Sequence, residues 1–174
     1  MESYSRLPSE FFQRDVLKVA PELMGKTLVR RFKDGSIERF TITEVEAYRG
    51  TEDRACHASK GRTARTEVMF QEGGVVYVYL IYGMYWMLNI VTGKEGDASA
   101  VLIRSLERIS GPGRVGKALQ LDKSFYGEDL TTSERIWIED RGLETEYIIT
   151  PRIGIDYAGE PWISKPWRFV LNKM

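Results

Sequence analysis

The feature that most constrains the fold is a string of β-branched and aromatic residues between Val75 and Thr92. Val75–Ile81 and Tyr85–Thr92 are both rich in residues that favour extended structure. Only Tyr82-Gly83-Met84 separates them, and a glycine supports the positive φ angles that a tight hairpin turn needs. The sequence therefore predicts an antiparallel pair of strands with Tyr82 at its tip.

Similar patterns before and after this hairpin predict a larger sheet. Lys33-Asp34-Gly35-Ser36 is typical of a hairpin turn, and Gly93–Asp97 turns the chain again. Consecutive hairpins of this kind favour a largely antiparallel sheet. The other predicted strands are Thr27–Phe32, Ile37–Tyr48, Ala98–Leu106, Ile136–Ile138, Arg152–Ile155 and Arg168–Leu171.

Three helices are predicted beside the sheet. Ser9 could cap a first helix that buries Phe12, Val16 and Val19 on one face. Pro21 is expected in the first turn of a second, short helix that Gly25 ends, and Gly111–Leu121 is expected to be the third. Gly50–Met69 is polar and without periodicity, which indicates a long functional loop. The fold class predicted is α+β, one domain with a curved, largely antiparallel sheet and flanking helices.

The composition excludes several classes of protein. No apolar run is long enough to span a membrane, and no secretory signal is recognisable at the start. One cysteine, Cys56, and one histidine make a structural zinc site improbable and fit a reducing cytoplasm. The formal net charge is zero, yet two segments, Arg54–Thr66 and Trp162–Met174, contain cations and no acid. These segments are compatible with a basic face that binds DNA, or with an ordinary solvated surface.

An acidic pair lies on the predicted strand Ile37–Tyr48. Alternation places Glu44, Glu46 and Tyr48 on one face, with Phe40 and Ile42 continuing it. A carboxylate on a partly apolar face is often functional, because an unpaired buried charge is costly. A salt bridge or a water-facing edge is the alternative, and spacing does not choose between Glu44 and Glu46.

The tyrosines of the hairpin allow two interpretations. Tyr77 and Tyr79 share a face and could form the core of the sheet. Tyr82, at the tip, has little core to enter and could fill the stack that an extruded base vacates. Aromatic walls would then hold that base, and they would hold a cationic alkylated purine more strongly by cation–π attraction.

Taken together, these segments resemble a known family. Their order and spacing are similar to those of the alkyladenine (3-methyladenine, or methylpurine) DNA glycosylase family, and the chain resembles a bacterial member of it. The likeness covers nearly the whole chain, which makes residues 1–174 one DNA glycosylase domain. The residues that carry it are Glu44-Val45-Glu46-Ala47-Tyr48, Glu52-Asp53, His57, Met69-Phe70, the string Tyr77–Tyr85, Asn89-Ile90, Val101-Leu102-Ile103-Arg104, Ser110-Gly111-Pro112 and Arg152-Ile153-Gly154.

The resemblance implies a role for each matching residue. Glu46 matches the general base that activates water, Arg104 matches a residue that helps to hold this water, and Tyr82 matches the intercalating wedge. Tyr48 and His57 match pocket walls on one face of the base, and Tyr79 matches the wall on the other face. Asn89 matches the side chain that discourages a purine with a 2-amino group. The backbone of Ala47 and His57 matches the groups that form hydrogen bonds with the edge of the base.

The function implied is monofunctional hydrolysis of the bond between a damaged purine and deoxyribose, in base excision repair. The lesions would be of the 3-methyladenine, hypoxanthine and etheno-adenine class, flipped out of double-stranded DNA. No metal or organic cofactor and no membrane partner is implied, and a monomer in the cytoplasm is expected. The alternatives are a non-catalytic module that stacks bases on its tyrosines, and a hydrolase of free nucleosides.

Overall fold

In the computed structural model, which describes residues 4–172, the chain forms one domain around an antiparallel sheet. The α+β class predicted from the sequence is confirmed. Ten strands pair within the described residues, in the order β1-β8-β2-β3-β6-β5-β4, with β7 beside β6 and with β10 joining β9 to β3. The strands are β1 (Ser5–Arg6), β2 (Thr27–Arg31), β3 (Ile37–Tyr48), β4 (Val76–Ile81), β5 (Tyr85–Thr92), β6 (Ser99–Leu106), β7 (Ile109–Ser110), β8 (Ile136–Asp140), β9 (Tyr147–Thr150) and β10 (Arg168–Leu171).

The aromatic hairpin is formed by β4 and β5, as predicted. Ile81 pairs with Tyr85, so the turn consists of Tyr82, Gly83 and Met84. Tyr82 adopts a φ of 53° and Gly83 a φ of 64°. The positive φ of Gly83 is unstrained, whereas that of Tyr82 is unfavourable for a residue with a Cβ.

The central strand β3 contains an irregularity that corrects one prediction. Its pairing with β6 shifts between Ile42 and Glu44 and again between Glu44 and Val45. An irregularity of this kind breaks the alternation of side chains between the two faces. Ile42 therefore packs in the main core with Val45, and Phe40 packs against the same core, so neither shares the face of Glu46 as predicted.

The helices differ from the prediction at the N-terminal end. The single helix predicted from Ser9 is two, α1 (Ser9–Phe12) and α2 (Val16–Leu23). Ser9 is not the cap. Instead, the Asp15 carboxylate caps α2 by accepting from the Leu17 amide at 2.9 Å. Pro21 lies inside α2 and does not begin a further helix.

The third helix, α3 (Pro112–Ala118), packs on β5 at a glycine. A Cβ at Gly116 would lie 1.9 Å from the Trp86 carbonyl oxygen, so this approach needs a residue without a side chain. None of the helices described is long and apolar enough to cross a membrane.

Two segments differ from their predicted secondary structure. The predicted strand Arg152–Ile155 is irregular, and the strand of this region is β9 instead. Arg152 is buried in this irregular segment. The predicted loop Gly50–Met69 contains two short 3-10 helices, His57–Lys60 and Glu67–Phe70.

Candidate functional site

Glu46 carries a buried carboxylate near the end of β3. The residue is 0% exposed. Its Oε1 accepts a hydrogen bond from the Tyr48 hydroxyl at 2.7 Å, and its Oε2 accepts one from the Ile153 amide at 2.7 Å. The Arg104 guanidinium lies 3.5 Å from Oε1. One cation and two hydrogen-bond donors thus offset the cost of burying this charge.

Glu44, two residues away, has a different environment. Its carboxylate accepts from Ser105 Oγ at 2.7 Å and from Arg168 Nε at 2.6 Å, and Arg104 Nε lies at 3.3 Å. Burial raises the pKa of Glu44, but these hydrogen bonds and the two guanidinium charges outweigh it and hold the pKa below its ordinary value. The surroundings of the two carboxylates therefore differ, although Arg104 contacts both. Glu44 is also paired with Arg168, whereas Glu46 accepts from the Tyr48 hydroxyl and the Ile153 amide.

A buried ion pair fixes the segment that contacts Glu46. Arg152 and Asp53 are each 0% exposed in their side chains, and their closest atoms are 2.6 Å apart. Arg152 also donates to the Ala47 carbonyl at 3.1 Å. The next residue, Ile153, presents its amide to Glu46.

The aromatic residues named from the sequence surround a cleft beside Glu46. This cleft has a volume of about 700 Å³ and is lined by residues that include Tyr48, His57, Arg65, Tyr79, Tyr82 and Arg104. A surface depression of about 880 Å³ lies elsewhere, beside Ser110 and Asn172, so volume alone does not select the site. The buried carboxylate and the aromatic walls select it.

The three aromatic walls are arranged differently from the prediction. His57 and Tyr79 are in edge-to-face contact, with ring centroids 4.5 Å apart and an interplanar angle of 67°. No base fits between rings at this distance, so His57 and Tyr79 form one wall together. The Tyr48 hydroxyl is tied to Glu46, and burial and the Glu46 charge raise the pKa of Tyr48, which keeps it protonated.

His57 is held as a neutral ring. Its Nδ1 lies 2.9 Å from the Tyr77 hydroxyl. Burial, together with the nearby charges of Arg65 and Lys60, lowers the pKa of His57 to about 4. The imidazole therefore carries no charge at neutral pH. Tyr77, for which the sequence leaves a place in the sheet core open, is its direct partner.

A small chamber continues from the cleft into the protein. Its volume is about 50 Å³, which leaves room for a few water molecules. Asn89 lines this chamber, is 4% exposed and donates only a long hydrogen bond of 3.4 Å to the Met87 carbonyl. The structure thus brings Asn89 to the inner end of the site, with amide capacity to spare.

Ala47 lies apart from the cleft. Its amide donates to the Trp167 carbonyl at 2.8 Å, and its carbonyl accepts from Arg152. Ala55, Cys56 and His57 line both cavities instead, and the Ala55 carbonyl accepts from the Tyr157 hydroxyl at 2.9 Å. The geometry therefore does not favour Ala47 as a group that reads a base edge.

Tyr82 stands at the outer rim of the cleft. The residue is 85% exposed, and its neighbours Leu80 and Met84 are exposed as well. An aromatic ring that gains so little from burial in the free protein is available for contact with a partner.

Several cations surround the cleft. Arg54, Lys60 and Arg65 line it, all from the basic segment of the long loop. Within residues 4–172 no group of three histidine, cysteine, aspartate or glutamate side chains comes close enough to hold a metal ion.

Three contributors to the site were not predicted from the sequence. They are the Ile153 amide, the Asp53–Arg152 pair and Tyr77. A backbone amide has no signature in the sequence. Asp53 and Arg152 are 99 positions apart, so only the fold shows that they pair.

Comparison with known proteins gives one consistent family. The model of the family described as methylpurine-DNA glycosylase (MPG) matches residues 10–110 and 107–174. A relative from Methanocella arvoryzae is 44% identical over 183 residues, covering 94% of this chain and 90% of the relative. A relative from Legionella pneumophila (strain Corby) is 47% identical over 177 residues, covering 96% and 94%.

A third relative, from Wolbachia pipientis wMel, is 47% identical over 176 residues, covering 97% of this chain and 93% of the relative. All three carry the name "Putative 3-methyladenine DNA glycosylase". The match of the family model spans most of the chain, and the relatives match along nearly their whole length. The chain therefore belongs to the methylpurine-DNA glycosylase family.

Proposed function

We propose that the protein is a monofunctional DNA glycosylase that flips an alkylated or deaminated purine out of duplex DNA and hydrolyses its N-glycosidic bond. It would act as a monomer in base excision repair, on DNA in the cytoplasm. The observation that carries the proposal is the buried Glu46 carboxylate, which contacts Tyr48 and Arg104. Both of these residues line a cleft that the exposed Tyr82 also lines.

Glu46 is the proposed general base. Cleavage of the bond develops positive charge on the sugar, and a carboxylate stabilises this charge while it accepts a proton from water. A carboxylate oxygen accepts two hydrogen bonds, so Oε1 has the capacity for a water besides the Tyr48 hydroxyl. Because Glu46 is 0% exposed in the free protein, we propose that the water reaches Oε1 when DNA binding displaces the Tyr48 or Arg104 side chain. Arg104, beside the same oxygen, is placed to help orient that water.

Tyr82 is the proposed wedge, and Tyr48, Tyr79 and His57 are the proposed walls for the flipped base. The chamber at Asn89 is small, so we propose that a purine enters only partly and that a 2-amino group meets Asn89. The cations Arg54, Lys60 and Arg65 around the cleft suit the phosphates of the strand that delivers the base.

The test is a single-turnover assay on a duplex that contains one hypoxanthine or etheno-adenine, with alkali added to reveal abasic sites. We expect strand breaks only after alkali, and no cleavage by Glu46→Gln. This variant should fold, because the glutamine oxygen can accept from Ile153 and the Tyr48 hydroxyl can turn to accept from the glutamine nitrogen. The matched control is Glu38→Gln, an exposed residue of the same strand, which should cleave normally.

Damaged-DNA binding by Glu46→Gln should stay within a few fold of the unsubstituted protein. Normal cleavage by this variant would remove Glu46 as the base. If no lesion is cleaved by any form while single strands bind with steep salt dependence, the non-catalytic stacking module is the better explanation.

A further inference from the structure

Two arginines lie on the aromatic walls of the cleft. The Arg152 guanidinium carbon is 4.9 Å from the centre of the Tyr48 ring, and that of Arg65 is 5.0 Å from the centre of the Tyr79 ring. Their charges are balanced differently. Arg152 is buried against Asp53, whereas Arg65 is exposed and forms no ion pair with any of residues 4–172.

The Tyr79 side of the cleft is thus the side with an uncompensated positive charge. Lys60 and Arg54 line the same cleft and add to it. The positive charge shifts the pKa values of His57 and Tyr79 on this wall in the directions expected for it. Arg65 and Lys60 add to the effect of burial in lowering the pKa of His57, whereas Arg65 opposes the burial that raises the pKa of Tyr79 to about 12. The charges of Arg65 and Lys60 thus disfavour a cation on this wall, and the charge of Arg65 favours an anion there against the effect of burial.

This field bears on the departure of a neutral purine. When the bond from C1′ of the sugar to N9 of hypoxanthine or etheno-adenine breaks, its electron pair leaves with the base. Water bonds to C1′ and gives its proton to Glu46, and the base takes up a proton from solvent at the nitrogen it has just freed. The base therefore gains negative charge before it is protonated.

We propose that Arg65 is the group that assists neutral leaving bases, by placing its positive charge beside the base that stacks at Tyr79. This inference rests on the proposed function. Fixed charges aimed at charge that develops in the transition state are effective where water is excluded, and DNA bound over the cleft would exclude water from the exposed guanidinium.

The same charge has the opposite effect on a cationic lesion. A purine methylated at N7 already carries a positive charge and leaves as a neutral base, so Arg65 repels it in the bound state and does not need to stabilise an anion. Arg65 therefore determines the specificity between neutral and cationic lesions. The cation–π attraction expected from the sequence is weakened at both walls, because each ring already faces an arginine.

The chain contains a matched control. Arg62, on the same basic loop, lies 4.7 Å from the centre of the Phe70 ring and 3.1 Å from Glu67. It does not line the cleft. Arg62→Gln and Arg65→Gln each remove one positive charge from the same loop. Each also removes a contact between an arginine and an aromatic ring.

The experiment measures single-turnover rate constants with enzyme in excess over DNA but well below saturation, for duplexes with one hypoxanthine or one 7-methylguanine. These rate constants compare the transition state with the unbound lesion, so they include the repulsion of the cationic lesion by Arg65. At saturation the base loses one unit of charge in both reactions, and a fixed charge would change both rates equally. For Arg65→Gln we expect the ratio of the hypoxanthine rate to the 7-methylguanine rate to fall roughly tenfold. This is the effect expected when one unit charge is removed at a distance of about one ring from the developing charge, at an intermediate dielectric constant. Arg65→Lys, which keeps the charge, should restore most of the ratio. Arg62→Gln should leave the ratio unchanged.

The proposal would be overturned if Arg65→Gln slowed the cleavage of both lesions equally and reduced the salt dependence of DNA binding as much as Arg62→Gln does. Arg65 would then be a residue that binds a DNA phosphate. An unchanged ratio without any slowing would overturn it as well. These results differ from failure of the proposed function, in which the unsubstituted protein cleaves neither lesion.

Discussion

The Asp53–Arg152 ion pair allows a quantitative prediction of stability. Arg152 donates two hydrogen bonds to Asp53, at 2.6 and 3.1 Å, and both side chains are fully buried. Asp53 also accepts from the amides of Arg49 and Ala55. Arg152→Met would leave this carboxylate charged and buried with only the two amides as partners.

Breaking a buried pair on one side costs about 3–5 kcal/mol, because the remaining charge is uncompensated. We expect Arg152→Met to lower the free energy of unfolding by this amount, which is roughly 10 °C in melting temperature for a chain of this size. The double variant Asp53→Asn with Arg152→Met should lose markedly less, since neither side chain is then charged. The exposed pair Arg14–Glu22 is the control, and Arg14→Met should cost less than about 1 kcal/mol.

The assay is urea denaturation followed by circular dichroism, because the fluorescence of Trp167, which contacts Arg152, would also report local changes. The single variant Asp53→Asn completes a double-mutant cycle with the unsubstituted protein, Arg152→Met and the double variant, and this cycle gives the coupling between Asp53 and Arg152. If Arg152→Met costs no more than Arg14→Met, or if the double variant loses the sum of the single losses, the pair does not have the role argued from its burial.

Two further predictions concern the hairpin tip and the histidine. Tyr82→Asn should reduce base extrusion, which is measured with a fluorescent adenine analogue beside the lesion. The melting temperature of this variant should stay the same or rise, because asparagine tolerates the φ of 53° better than tyrosine does. Unchanged extrusion would exclude Tyr82 as the wedge. Since the pKa of His57 is lowered to about 4 from 6.5, the unfolded chain takes up a proton that the folded protein excludes, so stability should fall as the pH is lowered from 6.5 to 4. His57→Gln should lose this part of the pH dependence, and because His57 is the chain's one histidine, an identical pH dependence in that variant would contradict the assignment.

Much of the sheet could be predicted from the sequence, because strand patterns are local. The limits of β3, β5 and β10 agree with those predicted, and the turn of the aromatic hairpin lies where glycine and chain direction require it. The residues of the site could be named through a family resemblance, and that family is confirmed. Their roles are proposals that await the variants above.

The tertiary structure decided what depends on contacts between distant segments. The irregular pairing of β3 with β6 separates the face of Ile42 from that of Glu46, and simple alternation cannot anticipate it. The different surroundings of Glu44 and Glu46 come from Arg168 and the Ile153 amide, each more than 100 positions from the carboxylate that it contacts. The sequence by itself determined which residue types and strands are present, because these follow from local pattern and composition. Which charges are compensated, as at Arg152, and which are not, as at Arg65, was decided only by the fold, because electrostatic balance depends on distance in space.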